Sequence, residues 1–349
     1  MVFTNPFSKI KLVPKNGEEV FRIALNRAKR LEVKSPIRWA SVKRSKTLTQ
    51  NYIKVLHENI VRRIKEGLYS IPRIDELDDF YRELAYTVVD MDDFRKRMGK
   101  VMACIKILYK LRREYLDRAR YIADVKEARK LRREYTGRVY SVVKSMDEEL
   151  ARIREYQRIL KKFPSIDPSL PTIVIAGAPN VGKSTLVNSI STAKSEVASY
   201  PFTTKKLSIG HIRLNPEDLL IQVIDTPGLL DRPLSERNKM ERQAILALKH
   251  LKGVIVYMVD PSESCGFPLS YQFKVLEDIS KYFEGKEIVI VLNKIDAADI
   301  KSVINSLKYL KEKGYTKCFL ISALKGIGVK ELRECLVNII KWSQSSRTE

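Results

Sequence analysis

Histidine and cysteine are scarce, at three and four residues among 349. The cysteines, Cys104, Cys265, Cys318 and Cys335, are scattered without CxxC spacing. That argues against a zinc site and a disulfide framework, and for reduced, mostly buried thiols. Long apolar runs are absent as well: none approaches the roughly 20 residues of a membrane span, and Met1–Pro6 lacks the apolar core of a signal peptide. A soluble, cytoplasmic protein without stable membrane association, monomeric when free, is expected. Glycine is thin in the first half, where only Gly17, Gly67, Gly99 and Gly137 of the 14 precede residue 170, and Asp92–Lys162 holds no proline. That stretch has room for two or three long helices, with breaks expected near Ala123-Asp124 and Gly137.

What is abundant is positive charge. The 65 Lys and Arg exceed the 42 Asp and Glu by 23. Residues 1–170 hold 40 basic and 23 acidic side chains, a balance of +17, and the remainder holds 25 and 19, or +6. An excess concentrated in one half points to a polyanionic partner docking there, nucleic acid first and an anionic membrane surface second. Basic clusters lie at Arg38–Lys46, Lys106–Arg120 and Lys126–Arg138, with Tyr109, Tyr115, Tyr121 and Tyr135 interleaved. Any one cluster is compatible with a solvated helix face, and the tyrosines with core positions; together they favour RNA.

Residues 1–163 are expected to form a basic helical domain, 164–171 a linker, 172–343 an α/β domain and 344–349 a short tail. Apolar residues at three- and four-residue spacing predict helices over Gly17–Leu31 and about Thr47–Gly67, and a third capped by Asp75; residues 1–16 read as an extended arm. Leu-Arg-Arg-Glu-Tyr occurs at Leu111–Tyr115 and again at Leu131–Tyr135. In one continuous helix the copies would lie on nearly opposite faces. Three prolines in Phe163–Pro171 stop the helical pattern. Strands are then predicted at Thr172–Ala176, Leu207–Leu214, Leu219–Ile224, Val254–Val259, Ile288–Leu292 and Cys318–Ile321. Only Asn215–Asp218 separates the second from the third, too short for a crossover helix, so these two pair antiparallel and the rest parallel. The fold class is an α/β P-loop domain, a mostly parallel six-stranded sheet with helices on both faces, preceded by an all-α bundle.

Each motif follows one of those strands. Gly177-Ala178-Pro179-Asn180-Val181-Gly182-Lys183-Ser184 matches GxxxxGK[ST] between the first strand and a helix continuing through Thr185. Its backbone N–H groups converge on phosphate, Lys183 reaches the β- and γ-phosphates, and Ser184 ligates Mg²⁺. Asp225-Thr226-Pro227-Gly228 places an aspartate for a Mg²⁺-bound water and a Gly228 N–H for the γ-phosphate. Asn293-Lys294-Ile295-Asp296 discriminates the base, because a carboxylate accepting from N1–H and N2–H₂ recognises guanine, whereas adenine leaves Asp296 unpaired. GTP and GDP are therefore the expected ligands. Ser322-Ala323-Leu324 corroborates this, with the Ala323 N–H expected at guanine O6. Leu229 stands where Ras-like GTPases carry a water-orienting glutamine, and leucine cannot position water. Hydrolysis is then slow and awaits a partner, or another element supplies the function.

These residues, with Tyr200–Lys205, Gly210-His211, Arg237-Asn238, Asp260–Gly266 and Ser165–Pro168, resemble the Obg-related GTPases, most closely the nucleolar GTP-binding protein (Nog) family in its short archaeal form. The resemblance implies that Thr204, rather than Thr203, completes the Mg²⁺ shell in the GTP state. In potassium-stimulated relatives a similar PN-containing loop holds K⁺, which makes Asn180 a cation ligand; a hydrogen-bonding turn cap is the other reading. Lys183, Thr204, Gly228 and Asn180 are the candidate catalytic groups. A GTPase that binds large-subunit ribosomal RNA and acts on the pre-ribosomal particle is the implied function. A slow or non-catalytic guanine-nucleotide-sensing scaffold, with a protein or membrane partner, is the rival. No glycine-rich domain precedes the nucleotide module, unlike Obg proper, and the chain ends soon after the helix Val329–Trp342, without the long tail of nucleolar members.

Overall fold

The computed structural model describes residues 3–31, 41–192, 196–201, 206–213 and 220–345. Helices α1 (Gly17–Lys29), α2 (Ser41–Tyr69), α3 (Asp79–Val88), α4 (Met91–Arg118), α5 (Val125–Lys144) and α6 (Asp147–Lys161) come first. They are followed by β1 (Thr172–Ala176), α7 (Lys183–Ile190), β2 (Glu196–Ala198), β3 (Leu207–Arg213), β4 (Leu220–Asp225), α8 (Lys239–Leu246) and β5 (Gly253–Val259). The chain continues through α9 (Leu269–Tyr282), β6 (Glu287–Leu292), α10 (Ile300–Glu312), β7 (Cys318–Leu320) and α11 (Val329–Ser345). Two compact units result: Pro6–Arg73 with Val89–Lys161, and Met1–Asn5 with Ile74–Val88 and Lys162–Glu349. No helix among the described residues is long and apolar enough to cross a membrane.

In the helical unit, short polar side chains set the helix starts by accepting orphan N–H groups of the first turn. Asn16 accepts from Glu19 N–H at 2.8 Å, Asp90 from Asp93 at 3.0 Å and Asp124 from Glu127 at 2.7 Å. The break at Ala123-Asp124 is observed, but Gly137 lies inside α5, and the next break falls at Ser145-Met146. The first break turns both Leu-Arg-Arg-Glu-Tyr copies inward: Leu111, Tyr115, Leu131 and Tyr135 are buried, and the two tyrosine rings stand 5.2 Å apart. Residues 6–13 are core rather than a free arm, since Phe7, Ile10 and Val13 are buried. The buried Gln157 fixes them, accepting Val13 N–H at 2.8 Å and donating to Gly67 O at 3.0 Å.

The second unit is built on a sheet of order β2-β3-β4-β1-β5-β6-β7. It has seven strands, not six: β2 pairs antiparallel with β3 at the edge, and its three residues are too few and too exposed to show a strand pattern. The pair β3–β4 is antiparallel and the remaining pairs are parallel, as their connections require. The β3–β4 connection, residues 214–219, lies outside the described residues.

Helix α3, expected within the helical domain, belongs to this unit, burying Phe80, Tyr81, Leu84 and Ala85. Its cap is Asp78, which accepts Phe80 N–H at 3.0 Å, and not Asp75, which accepts from the Tyr86 hydroxyl. The Tyr81 hydroxyl lies 2.8 Å from the carbonyls of Pro164 and Ile166 and accepts Ile166 N–H at 3.0 Å. Gln222 on β4 accepts Asp167 N–H at 2.9 Å and donates to Asp167 O at 2.7 Å. The proline-rich segment expected as a linker is thus knitted onto the sheet.

Candidate nucleotide site

The parallel strands β1, β4, β5, β6 and β7 carry their carboxyl ends at one edge of the sheet, where loops gather into a binding crevice. Gly177–Ser184 leaves β1 there. Gly177 (φ 138°) and Gly182 (φ 101°) occupy backbone conformations that favour glycine. A Cβ at Gly177 would collide with Met258 O, and one at Gly182 with Asn293 Nδ2. Asn180 also takes positive φ, at 60°, a region asparagine tolerates. Its residue is exposed, and among the described residues its side chain makes no hydrogen bond. Lys183, 7% exposed, donates to Gly177 O and Ala178 O, each at 2.8 Å. Its ammonium is curled over its own loop.

Ser184 and Asp225 meet, the serine hydroxyl lying 2.5 Å from Asp225 Oδ2. Asp225 Oδ1 is buried without a hydrogen-bond partner. Burial pushes this carboxyl above its usual range, against the Ser184 hydroxyl and the nearby Lys183 charge. An orphaned buried carboxylate oxygen beside a hydroxyl suits a hard cation that takes its other ligands from phosphate and water. The donor set fits Mg²⁺. Among the described residues no group of three or more His, Cys, Asp and Glu forms a self-sufficient metal cage.

On the base side, Asn293 follows β6 and ties two loops together. Its Nδ2 donates to Val181 O at 2.8 Å and its Oδ1 accepts Ala323 N–H at 2.9 Å. The Ala323 donor, expected at guanine O6, is occupied by Asn293 in this structure. Asp296 lies 3.1 Å from Lys325 Nζ, and Ser322 and Lys325 hold its carboxyl below the usual range. Leu324 is 85% exposed. Lys294, at φ 60°, donates to Asp260 Oδ2 at 2.8 Å and to Ser264 Oγ at 3.0 Å.

Asp260 opens the family-like stretch Asp260–Gly266, to which the sequence assigns no role, and it organises that loop. The carboxylate is wholly buried and also accepts the N–H groups of Ser262 at 3.0 Å and Cys265 at 2.9 Å. Burial pushes its pKa up, but the Lys294 ammonium and the Ser262 hydroxyl outweigh that and hold it down. Gln272 on α9 closes the loop by accepting Asp260 N–H at 2.8 Å.

Asp231 and Arg237 are likewise unforeseen. Gly228 N–H, expected at the γ-phosphate, donates to Asp231 Oδ2 at 2.9 Å. Arg237, with its side chain 2% exposed, donates to Gly228 O at 2.9 Å and to Asp231 Oδ1 at 3.1 Å. Gly177 N–H is taken as well, by Leu230 O at 3.0 Å. Leu229 is buried, away from any role with water. The signal in the sequence was Arg237-Asn238, whose family-like character carries no role by itself. Thr203 and Thr204 lie outside the described residues.

Residues 7–167 match the NOG1 N-terminal helical domain, and residues 239–296 match Nucleolar GTP-binding protein 1 (NOG1). An uncharacterised protein of Methanocaldococcus jannaschii is 37% identical over 304 residues, covering 86% of this chain and 83% of that protein. Nucleolar GTP-binding protein 1 of Drosophila melanogaster is 31% identical over 331 residues, covering 94% of this chain and 50% of that protein. The Arabidopsis thaliana protein of the same name is 31% identical, covering 85% and 44%. This chain therefore spans about half the length of its nucleolar relatives. A crystal structure of Plasmodium falciparum nucleolar GTP-binding protein 1 is 36% identical and covers 53% of this chain and 94% of that one, with a TM-score of 0.46. The match is narrower than the Obg-related grouping: the chain belongs to the nucleolar GTP-binding protein 1 family.

Proposed function

We propose that the protein binds and hydrolyses GTP and that its nucleotide state governs binding to large-subunit ribosomal RNA during assembly of the large ribosomal subunit. The observation that carries the nucleotide half is Asn293, hydrogen-bonded to Val181 O and Ala323 N–H. It holds the phosphate loop and the guanine-reading loops in one register, with Asp296 three residues on to pair with N1–H and N2–H₂. The names of the relatives support the same reading.

In the proposed mechanism, the loop N–H groups and Lys183 receive the phosphates, and Lys183 exchanges its two carbonyl partners for phosphate oxygens. Ser184 and Asp225 would hold Mg²⁺, which neutralises charge on the phosphates when bound. GTP and water give GDP and inorganic phosphate. No side chain at position 229 can orient that water, so slow hydrolysis without a partner is the expected behaviour. Asn180, exposed in the loop, is available to a monovalent cation; equal hydrolysis rates in K⁺ and Na⁺ at matched ionic strength would remove that role.

The RNA half rests on charge. Lys106, Lys110 and Arg113 on α4, and Lys126, Arg129, Lys130 and Arg133 on α5, are all exposed. In-cell crosslinking followed by mapping of the bound RNA tests it: sites in large-subunit ribosomal RNA support the proposal, and recovery of no RNA contradicts it.

A further inference from the structure

Within the helical unit, α2 and α4 bury a polar group whose neighbours include the Leu108 carbonyl. His57 is 3% exposed, and neither ring nitrogen makes a hydrogen bond of good geometry. Its ring stands edge-on to Tyr109, 4.6 Å between centroids. The Nε of Arg112 is buried without a partner as well. Both side chains line a cavity of about 350 Å³, together with Tyr109, Arg62, Lys65 and Glu58.

Buried polar atoms are nearly always paired, so neighbouring orphans in one cavity call for a ligand or ordered water. Charge narrows the choice. Arg62, Lys65 and Arg112 line the cavity with one carboxylate, Glu58, which lies 3.3 Å from Arg112 Nη2, while Glu66, outside the lining, lies 4.0 Å from Arg62 Nε. Lys65 Nζ sits 3.3 Å from the Tyr109 hydroxyl and over its ring at 5.0 Å, so its charge is held at the cavity. A cation is repelled, and an apolar group leaves the orphans unpaired. A phosphate supplies both the negative charge and several acceptor oxygens. The cavity opens to solvent, so a strand can pass over it with one phosphodiester seated among the cations.

We propose that this cavity holds one phosphate of a bound RNA strand, with Arg62, Lys65 and Arg112 neutralising it beside the buried His57. The inference rests on the RNA reading above and gives it an address. His57 supplies a readout. Burial, then the charges of Arg112 and Lys65, hold its pKa down to about 4, with the Leu108 carbonyl opposing them. The groups facing it are Glu58, Arg62 and Lys65 from its own helix and Tyr109 and Arg112 from α4. A phosphate among them raises that pKa.

The chain has three histidines, so the imidazoles of the full-length protein can be followed by NMR with ¹³C-labelled histidine. The probe is a mixed-sequence single-stranded RNA of about 20 nucleotides, with inorganic phosphate and phosphatidylserine vesicles as parallel arms. The expected result is a His57 titration midpoint that rises by about one pH unit or more with RNA and does not move with either other probe. In binding measurements, Lys65→Gln with Arg112→Gln loses about tenfold more affinity than Lys144→Gln with Arg158→Gln, which removes equal charge elsewhere in the unit. RNA binding with an unmoved His57 and equal losses in the two pairs overturns the cavity and leaves the RNA reading standing. Absence of RNA binding by the wild type overturns both. A His57 shift produced equally by phosphate or vesicles overturns the assignment to RNA.

Discussion

Asp231 accepts the Gly228 N–H at 2.9 Å, so a carboxylate already occupies the donor proposed for a γ-phosphate. Arg237 clasps both ends of this contact through Gly228 O and Asp231 Oδ1. The segment after Asp225 is therefore closed on itself, and in the proposed mechanism GTP competes with Asp231 for one N–H, whereas GDP does not.

Replacing Asp231 with asparagine removes the charge and leaves one oxygen for Arg237. The affinity for a non-hydrolysable GTP analogue relative to GDP is expected to rise about fivefold, in line with the roughly 1 kcal/mol by which a charged acceptor exceeds a neutral one. Competition against a fluorescent guanine nucleotide measures it; an unchanged ratio would show that Asp231 does not compete.

Asp260 gathers two backbone N–H groups and the Lys294 ammonium around a wholly buried carboxylate. Asp260→Ala should destabilise the protein by about 3 kcal/mol, because those donors lose their acceptor and Lys294 its counter-charge. It should also weaken guanine nucleotide binding, since Lys294 adjoins the base-reading loop. A urea midpoint and nucleotide affinity both equal to wild type would contradict this.

Asp296→Asn should shift preference from guanine toward xanthine nucleotides, because the amide donates where xanthine offers a carbonyl. Loss of GTP binding on the order of 100-fold, with recovery by xanthosine triphosphate, is the expected pattern. Unchanged GTP preference would withdraw Asp296 from base recognition.

In the ligand-free chain His57 also makes stability depend on pH. Its folded pKa of about 4 lies below its ordinary 6.5, so between these values the unfolded chain binds the proton and the folded chain does not. Stability then rises with pH, is fully present above about 6.5, and falls as pH drops toward 4, by at most about 3 kcal/mol. Urea midpoints across pH 4 to 7 should show this slope in wild type and a flatter one in His57→Phe. Parallel slopes would contradict the buried neutral imidazole.

The site was legible where chemistry is written contiguously. Gly177–Ser184, Asp225–Gly228 and Asn293–Asp296 each follow an apolar run that could only be a buried strand, and the sheet brings their ends together. What escaped depends on tertiary contact. The spacing of Phe80, Leu84 and Val88 shows a buried face on α3 but not the unit it is buried in. Strand β2 is three residues of an edge, with no alternation to read. Asp231 looks like ordinary surface charge, and Arg237 and Asp260 sit in family-like stretches without a role, until burial and partners are known. Ala323 N–H was assigned to the base because the Asn293 amide that takes it lies 30 residues away in sequence.

The guanine nucleotide state is proposed to set the affinity for ribosomal RNA. The direct measurement is binding of the full chain to large-subunit ribosomal RNA with Mg²⁺ and either a non-hydrolysable GTP analogue or GDP, at one fixed salt concentration. Binding about tenfold tighter with the GTP analogue, and no such gain with the ATP analogue, is the predicted result. Equal affinity in the two guanine nucleotide states would contradict it.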